Sequence, residues 1–260
     1  MDYFSILLTD YETKLLVFAR VLGIFAFNPL LSRRNVPQMV KIGMSVLLAI
    51  IASMVVNPEP VDTGEIAGVY LMMLLKEGFI GLAIGFISDM FFQSVQVAGE
   101  MMDMQSGLGM AKVFDPVTNS QSSLMGSIIS FMLYLYYFAI NAHHSYIKIF
   151  VLSYNIIPIG NWSINPDFGW ALVEFFSVLL ALVLKMALPI IVSEIILQFA
   201  MGVMMKSVPQ IQLMVVNIQL KVAFGFWILF VVAVPLANFI DGYIVTMYET
   251  IEEFIPRMIM

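Results

Sequence analysis

Residues 170–205 read WALVEFFSVLLALVLKMALPIIVSEIILQFAMGVMM, an apolar run interrupted by only three charged side chains, Glu174, Lys185 and Glu194. A bilayer core is about 30 Å thick and takes roughly 20 residues of helix. At 1.5 Å per residue this run would extend roughly 54 Å, too long for one straight crossing. Either Pro189 breaks it, or the helix continues well beyond the bilayer.

Working outward, five more apolar segments emerge. Residues 15–31 carry Arg20 and Asn28-Pro29, and 42–56 carry no charge. Segment 66–92 contains Lys76, Glu77 and Asp89, and 124–140 ends in Tyr134, Tyr136, Tyr137 and Phe138. Segment 211–248 is again too long for one crossing unless Pro235 breaks it. The pattern predicts an all-α membrane protein, one helical domain over residues 1–260, with about six hydrophobic helices in hairpins. The last two are very long, and a long loop separates the third and fourth.

Composition supports the same class. Of 260 residues 61% are hydrophobic and 12% charged, with a mean hydropathy of +0.94. Soluble domains average roughly 45–50% apolar and 25% charged, which excludes a soluble enzyme, a disordered tail or a nucleic-acid binder. Twelve Lys+Arg against eighteen Asp+Glu give a net −6, the wrong sign for a phosphate backbone. Without Cys there are no disulfides, thiolate metal sites or Cys nucleophiles. Asp2, Asp10 and Glu12 stand where a signal peptide needs a basic region, so no cleaved presequence is expected.

Orientation follows from the basic residues. The 32–41 gap holds Arg33, Arg34 and Lys41 and no acid, whereas 57–65 holds Glu59, Asp62 and Glu65 and no base. The positive-inside rule places the first gap in the cytoplasm and the second outside. By parity the 93–123 connection and the turn at Lys206 are cytoplasmic, and both termini external.

The 93–123 connection is expected to be a loop of about thirty residues, uncommon unless functional or disordered. Val95, Val97, Met101, Met102, Met104, Leu108, Met110, Val113 and Phe114 make it too apolar for disorder. Gly107 and Gly109 let it turn. Its Met side chains read either as ordinary burial or as a surface that must seal around varied polypeptides.

Catalytic patterns are missing. There is no HExxH, and His143-His144 are adjacent and cannot share a helix face. Gly107-Leu108-Gly109 lacks a third Gly at Lys112 for a nucleotide loop, and no Gly-x-Ser-x-Gly occurs. No catalytic residue, cofactor or metal site is expected. The ionisable residues in apolar segments, Lys76, Glu77, Asp89, Lys185, Glu194 and Lys221, read either as a proton or substrate path or as structural charges shielded by protein or water. Gly78, Gly81 and Gly85 form a candidate helix-packing face.

Several ordered motifs carry a resemblance across nearly the whole chain. Asn28-Pro29-Leu30, Val36-Pro37, Val40-Lys41-Ile42-Gly43, Ala98-Gly99-Glu100, Gln105, Gly107-Leu108 and Asp115-Pro116 are followed by Asn141-Ala142-His143, Ala187-Leu188-Pro189 and Val208-Pro209-Gln210. The set resembles the FliR family of flagellar export proteins. Ala142 stands where the family has Gly, and Asn217, Gln219 and Lys221 add polar groups to the sixth segment.

The resemblance implies a non-enzymatic subunit of the type III export gate in the bacterial inner (cell) membrane, multi-pass and within the flagellar basal body. Residues 1–160 would be a FliP-like four-helix part and 161–260 a FliQ-like two-helix hairpin. The chain would join FliP and FliQ subunits in one helical assembly, with FlhB bound in trans and exported flagellar proteins as substrates. The family's pore plug maps to 104–117, with Met104, Gln105, Gly107, Leu108, Gly109, Met110, Phe114, Asp115 and Pro116. Its FlhB docking turn maps to Lys206, Ser207, Pro209 and Gln210. The competing readings are the T-type subunit of a virulence injectisome and a proton-coupled small-solute transporter.

Because the chain has no Cys, single substitutions report orientation cleanly. Ser32→Cys and Ser207→Cys are expected to label only from the cytoplasm, and Thr63→Cys only from outside. Impermeant maleimide applied to right-side-out and inverted vesicles checks this.

Overall fold

Eight helices make up the regular structure among the described residues of the computed structural model, which are 11–28, 37–56, 67–109, 123–160, 163, 165–207 and 213–259. They are α1 (Tyr11–Ala26), α2 (Gln38–Val56), α3 (Ala67–Ser106), α4 (Leu124–Ala139), α5 (Ala142–Ile156), α6 (Phe168–Ser207), α7 (Leu213–Val231) and α8 (Ala233–Arg257). The all-α membrane class holds. Gln38–Val56, Gly68–Ser106 and Phe168–Met204 are each long and apolar enough to cross a membrane. The count rises to five if α4 with α5, and α7 with α8, each form one bent span.

Two details depart from the sequence reading, and two alternatives that it left open, at Pro189 and Pro235, are resolved. The third helix does not stop at Phe92 but runs forty residues to Ser106, so the long connection begins only at Gly107. Phe91, Val95, Ala98 and Met102 are all buried, and their spacing of three and four is that of one helical face. The helix Ala142–Ile156 has no counterpart among the six apolar segments; it follows Asn141, whose left-handed φ of 55° ends the preceding element, a conformation that Asn tolerates better than most residues. Pro189 lies inside the continuous α6, between the buried Ala187 and Ile190. Long apolar helices tolerate such a Pro where neighbouring groups re-satisfy the freed backbone. Finally, the last segment is interrupted at Val232, and Pro235 sits in the first turn of α8, where its missing N–H costs least.

The chain divides into two compact units that each take pieces from both halves of the sequence. Unit 1 comprises 1–91, 142–175 and 246–260; unit 2 comprises 92–141 and 176–245.

Unit 1 is organised by a buried ion pair. Arg20 and Glu77 are both fully buried, with Arg20 Nε 2.7 Å from Glu77 Oε2. Arg20 Nη1 donates to the Ser153 carbonyl at 3.0 Å and Nη2 to that of Ile157 at 3.1 Å. These are carbonyls at the C-terminal end of α5, where a cation also meets the negative pole of the helix. Glu77 Oε1 accepts the Gly160 amide at 3.0 Å. The Tyr154 ring lies 4.3 Å from the guanidinium carbon, and its hydroxyl donates to the Val17 carbonyl. One charged pair thus joins α1, α3 and the end of α5.

Close packing continues around it. A Cβ on Gly81 would lie 2.1 Å from the Arg20 carbonyl oxygen, one on Gly85 2.6 Å from that of Ile24, and one on Gly23 2.6 Å from that of Gly78. Helices α1 and α3 therefore meet backbone to backbone. Gly78 has open space where its own Cβ would sit. Phe79, Phe168 and Phe254 make edge contacts that link α3, α6 and α8. Helix α2 packs on α1 and α5 and buries Ser45, Ala49 and Ala52. Its other large side chains, Met39, Leu47, Ile50 and Met54 among them, are exposed, a surface suited to lipid.

Removing one member of a buried pair strands the other charge, at a cost of about 3–5 kcal/mol. Arg20→Met is expected to destabilise the chain by that order. Adding Glu77→Gln to it should recover part of the loss. Denaturant titration of the detergent-solubilised variants measures both.

Candidate functional site

The connection after α3 has both its roots in unit 2, and the side chains around those roots fix how the loop leaves the helical frame. Helices α3 and α4 run together at Gly99 and Gly126. A Cβ on Gly99 would lie 2.1 Å from both N and Cα of Gly126, so no other residue fits there. One turn away Gln96 Nε2 donates to Ser130 Oγ at 2.9 Å, and Phe92 stacks on Tyr134.

This approach brings Asp103 to the start of α4. Its Oδ2 accepts the Leu124 amide at 2.7 Å and its Oδ1 the Met125 amide at 3.1 Å. Ser123, extended at φ −64° and ψ 133°, is the N-cap, and its hydroxyl accepts the Gly126 amide at 2.8 Å. The first amides of a helix have no partner inside it. Here three of them are satisfied, two by a carboxylate that also lies at the positive pole of the helix. Asp103 is buried, so these bonds form away from water.

The other root is held with the opposite charge. Ser106 ends α3, and Gly107 follows with φ 81°, the left-handed cap that Gly adopts without strain. Lys221 of α7 donates from Nζ to the Gln105 carbonyl at 3.4 Å and to Gln198 Oε1 of α6 at 3.0 Å. A cation therefore stands at the C-terminal end of α3 and an anion at the N-terminal end of α4. Gly225, one turn after Lys221, leaves room for its neighbours. A Cβ there would lie 3.0 Å from Glu194 Oε1 and 3.2 Å from Ser106 Cβ. The result is a clasp: the roots of the 107–123 segment are tied to each other and to α6 and α7.

Of the expected plug residues, Met104 and Gln105 lie in the last turns of α3, with Met104 77% exposed. Gly107, Leu108 and Gly109 lead out of it, half-buried. Met110, Phe114, Asp115 and Pro116 fall outside the described residues. Met101, Met102 and Met104 belong to helix rather than loop, and Met102 is core. In the expected docking turn, Lys206 is exposed in the last turn of α6 and Ser207 ends that helix; Pro209 and Gln210 fall outside the described residues. Asp103 and Ser123 escaped the sequence reading as functional candidates. The one available signal was Ser before an apolar run, the pattern of an N-cap. Among the described residues no group of three or more His, Asp and Glu side chains could hold a metal ion.

Comparison with known proteins gives this geometry a family. The sequence matches the family described as "Bacterial export proteins, family 1" over residues 12–247. The chain belongs to that family. It is 33% identical over 224 residues to "Flagellar biosynthetic protein FliR" of Bacillus subtilis (strain 168), covering 85% of this chain and 86% of that one. It is 27% identical over 241 residues to the protein of the same name in Escherichia coli (strain K12), covering 92% and 91%. To the one in Aquifex aeolicus (strain VF5) it is 24% identical over 247 residues, covering 94% and 93%. In this bacterial export protein the family match therefore runs through the clasp, both its roots and the helices that hold them.

Losing a helix cap costs about 1–2 kcal/mol. Asp103→Ala is expected to loosen the clasp by that order and to raise the rate of proteolysis within 107–123. Glu100→Ala, exposed on the same helix, should leave the rate unchanged. Limited proteolysis of the membrane-embedded chain, with the cleavage sites mapped, checks both.

Proposed function

We propose that this chain is a non-enzymatic subunit of the flagellar type III protein export gate, forming part of a channel in the bacterial inner membrane and closing it at rest with the 104–117 loop. The observation that carries the reading is the clasp. A segment tied at both roots by hydrogen bonds can shift its middle without unfolding the helices that hold it, as a plug must. Its apolar and Met-bearing composition suits packing against a moving polypeptide without one fixed geometry, and the glycines at 107 and 109 permit a path no regular helix follows.

In this account residues 1–160 act as a FliP-like part and 161–260 as a FliQ-like hairpin, and the chain joins FliP and FliQ subunits in one helical assembly. FlhB docks at the turn that follows Lys206 and Ser207, and flagellar proteins are the substrates. The names of the three relatives above favour the flagellar machine over an injectisome. The buried charge of unit 1 supports a structural use of ionic groups rather than a solute path, since both members of the Arg20–Glu77 pair make further hydrogen bonds.

Deleting residues 107–112 tests the plug directly, because it spares Asp103 and Ser123. The expected outcome is a complex that copurifies with its partners as before while the membrane leaks small ions. A deletion variant that assembles, stays tight and still exports would overturn the plug role.

A further inference from the structure

Glu194 of α6 is fully buried, and neither of its carboxylate oxygens has a hydrogen-bond donor. Its Oε1 lies 3.0 Å from the point where a Cβ on Gly225 of α7 would lie, and Ser106 of α3 and Met125 of α4 lie within 3.8 Å of the same point. An ionised carboxylate in such a place is strongly unfavourable without a cation or donor; a single proton removes the charge and needs no further room.

The groups that face this site restrict what else could serve. From α7 the charged residue is Lys221, one turn before Gly225. From α3 it is Asp103, whose oxygens already accept the Leu124 and Met125 amides. Helix α4 contains no charged residue. Lys221 meanwhile holds Gln198, one turn after Glu194 on α6, and the carbonyl of Gln105. A lysine side chain spans a helical turn, about 5.4 Å, so both Gln198 and Glu194 lie within its range.

We propose that Glu194 is a proton-binding site and that Lys221 is the cation that replaces the proton when it leaves. With the acid neutral, Lys221 stays on Gln198 and on the C-terminal carbonyl of α3, the arrangement seen here. When the proton passes to water, the carboxylate draws the ammonium one turn along the interface and off Gln105. Proton occupancy of Glu194 is thereby linked to the hold on one root of the 107–123 loop. No bond to carbon changes, and the displaced acceptors, an amide and a carbonyl, are left to water.

The inference stands apart from the gate reading, because its readouts need neither export nor a pore. Infrared spectra of the full-length chain, purified in detergent with whatever partners accompany it, are compared between about pH 5 and about pH 9, on either side of neutrality. A protonated-carboxyl carbonyl band that disappears on raising the pH is expected, and Glu194→Gln should abolish it, whereas Glu249→Gln, exposed on α8, should not. In parallel, the mobility of a nitroxide spin label attached to a Met104→Cys variant, beside Gln105, should change with pH when the rest of the chain is wild type. That change should be lost when either Glu194→Gln or Lys221→Met is added. A band unaffected by Glu194→Gln would overturn the proton site. A pH response of the spin label at position 104 that survives Lys221→Met would overturn the lysine exchange.

Discussion

An arginine and a glutamate with no access to water hold unit 1 together, and much of that unit follows from the need to satisfy them. Burying two ions costs several kcal/mol each, and mutual attraction compensates only when the remaining donors and acceptors are also used. Arg20 meets that condition by turning its two terminal nitrogens to the end carbonyls of α5. Glu77 meets it by taking the Gly160 amide. Such bonds require α1 and α3 to lie very close, and Gly23, Gly81 and Gly85 supply the space. The pair fixes the end of α5.

Unit 2 solves a different problem with the same chemistry. Its task is to let a segment of chain leave the helical frame between α3 and α4 without fraying either end. A carboxylate caps the start of one helix and an ammonium the end of the other, each where the helix pole has the opposite sign. The backbone contact of Gly99 with Gly126 sets the register that brings Asp103 to Leu124 and Met125. The two caps are tied to packed helices.

The helices were legible where apolar residues ran long enough to need a bilayer, as at 170–205 and 42–56. They were not legible where polar residues interrupted the run. Gln93, Gln96, Gly99, Glu100 and Asp103 made the second half of α3 look like loop, although Phe91, Val95, Ala98 and Met102 kept a helical spacing throughout. Helix α5 was hidden by His143, His144, Lys148 and Asn155. Arg20 and Glu77 were visible as charges in apolar surroundings. That they pair was not, since fifty-seven positions separate them and nothing local selects the partner. The same holds for the clasp: Ser123 carries the mark of an N-cap, but Asp103 gains its role only from the crossing of two helices. The motif order that resembles the FliR family agrees with the family match over 12–247.

Each unit of this export protein uses charged side chains to hold helix ends, and the proposed gate puts the segment between the α3 and α4 roots in the path of the exported chain. A photo-crosslinking residue at Leu108, at the exit from the α3 root, tests that account most directly, with a tagged flagellar export substrate stalled in transit in living cells. The account predicts an adduct with the stalled substrate, lost when the substrate is withheld. An adduct confined to neighbouring helices or lipid whether or not a substrate is stalled would contradict it.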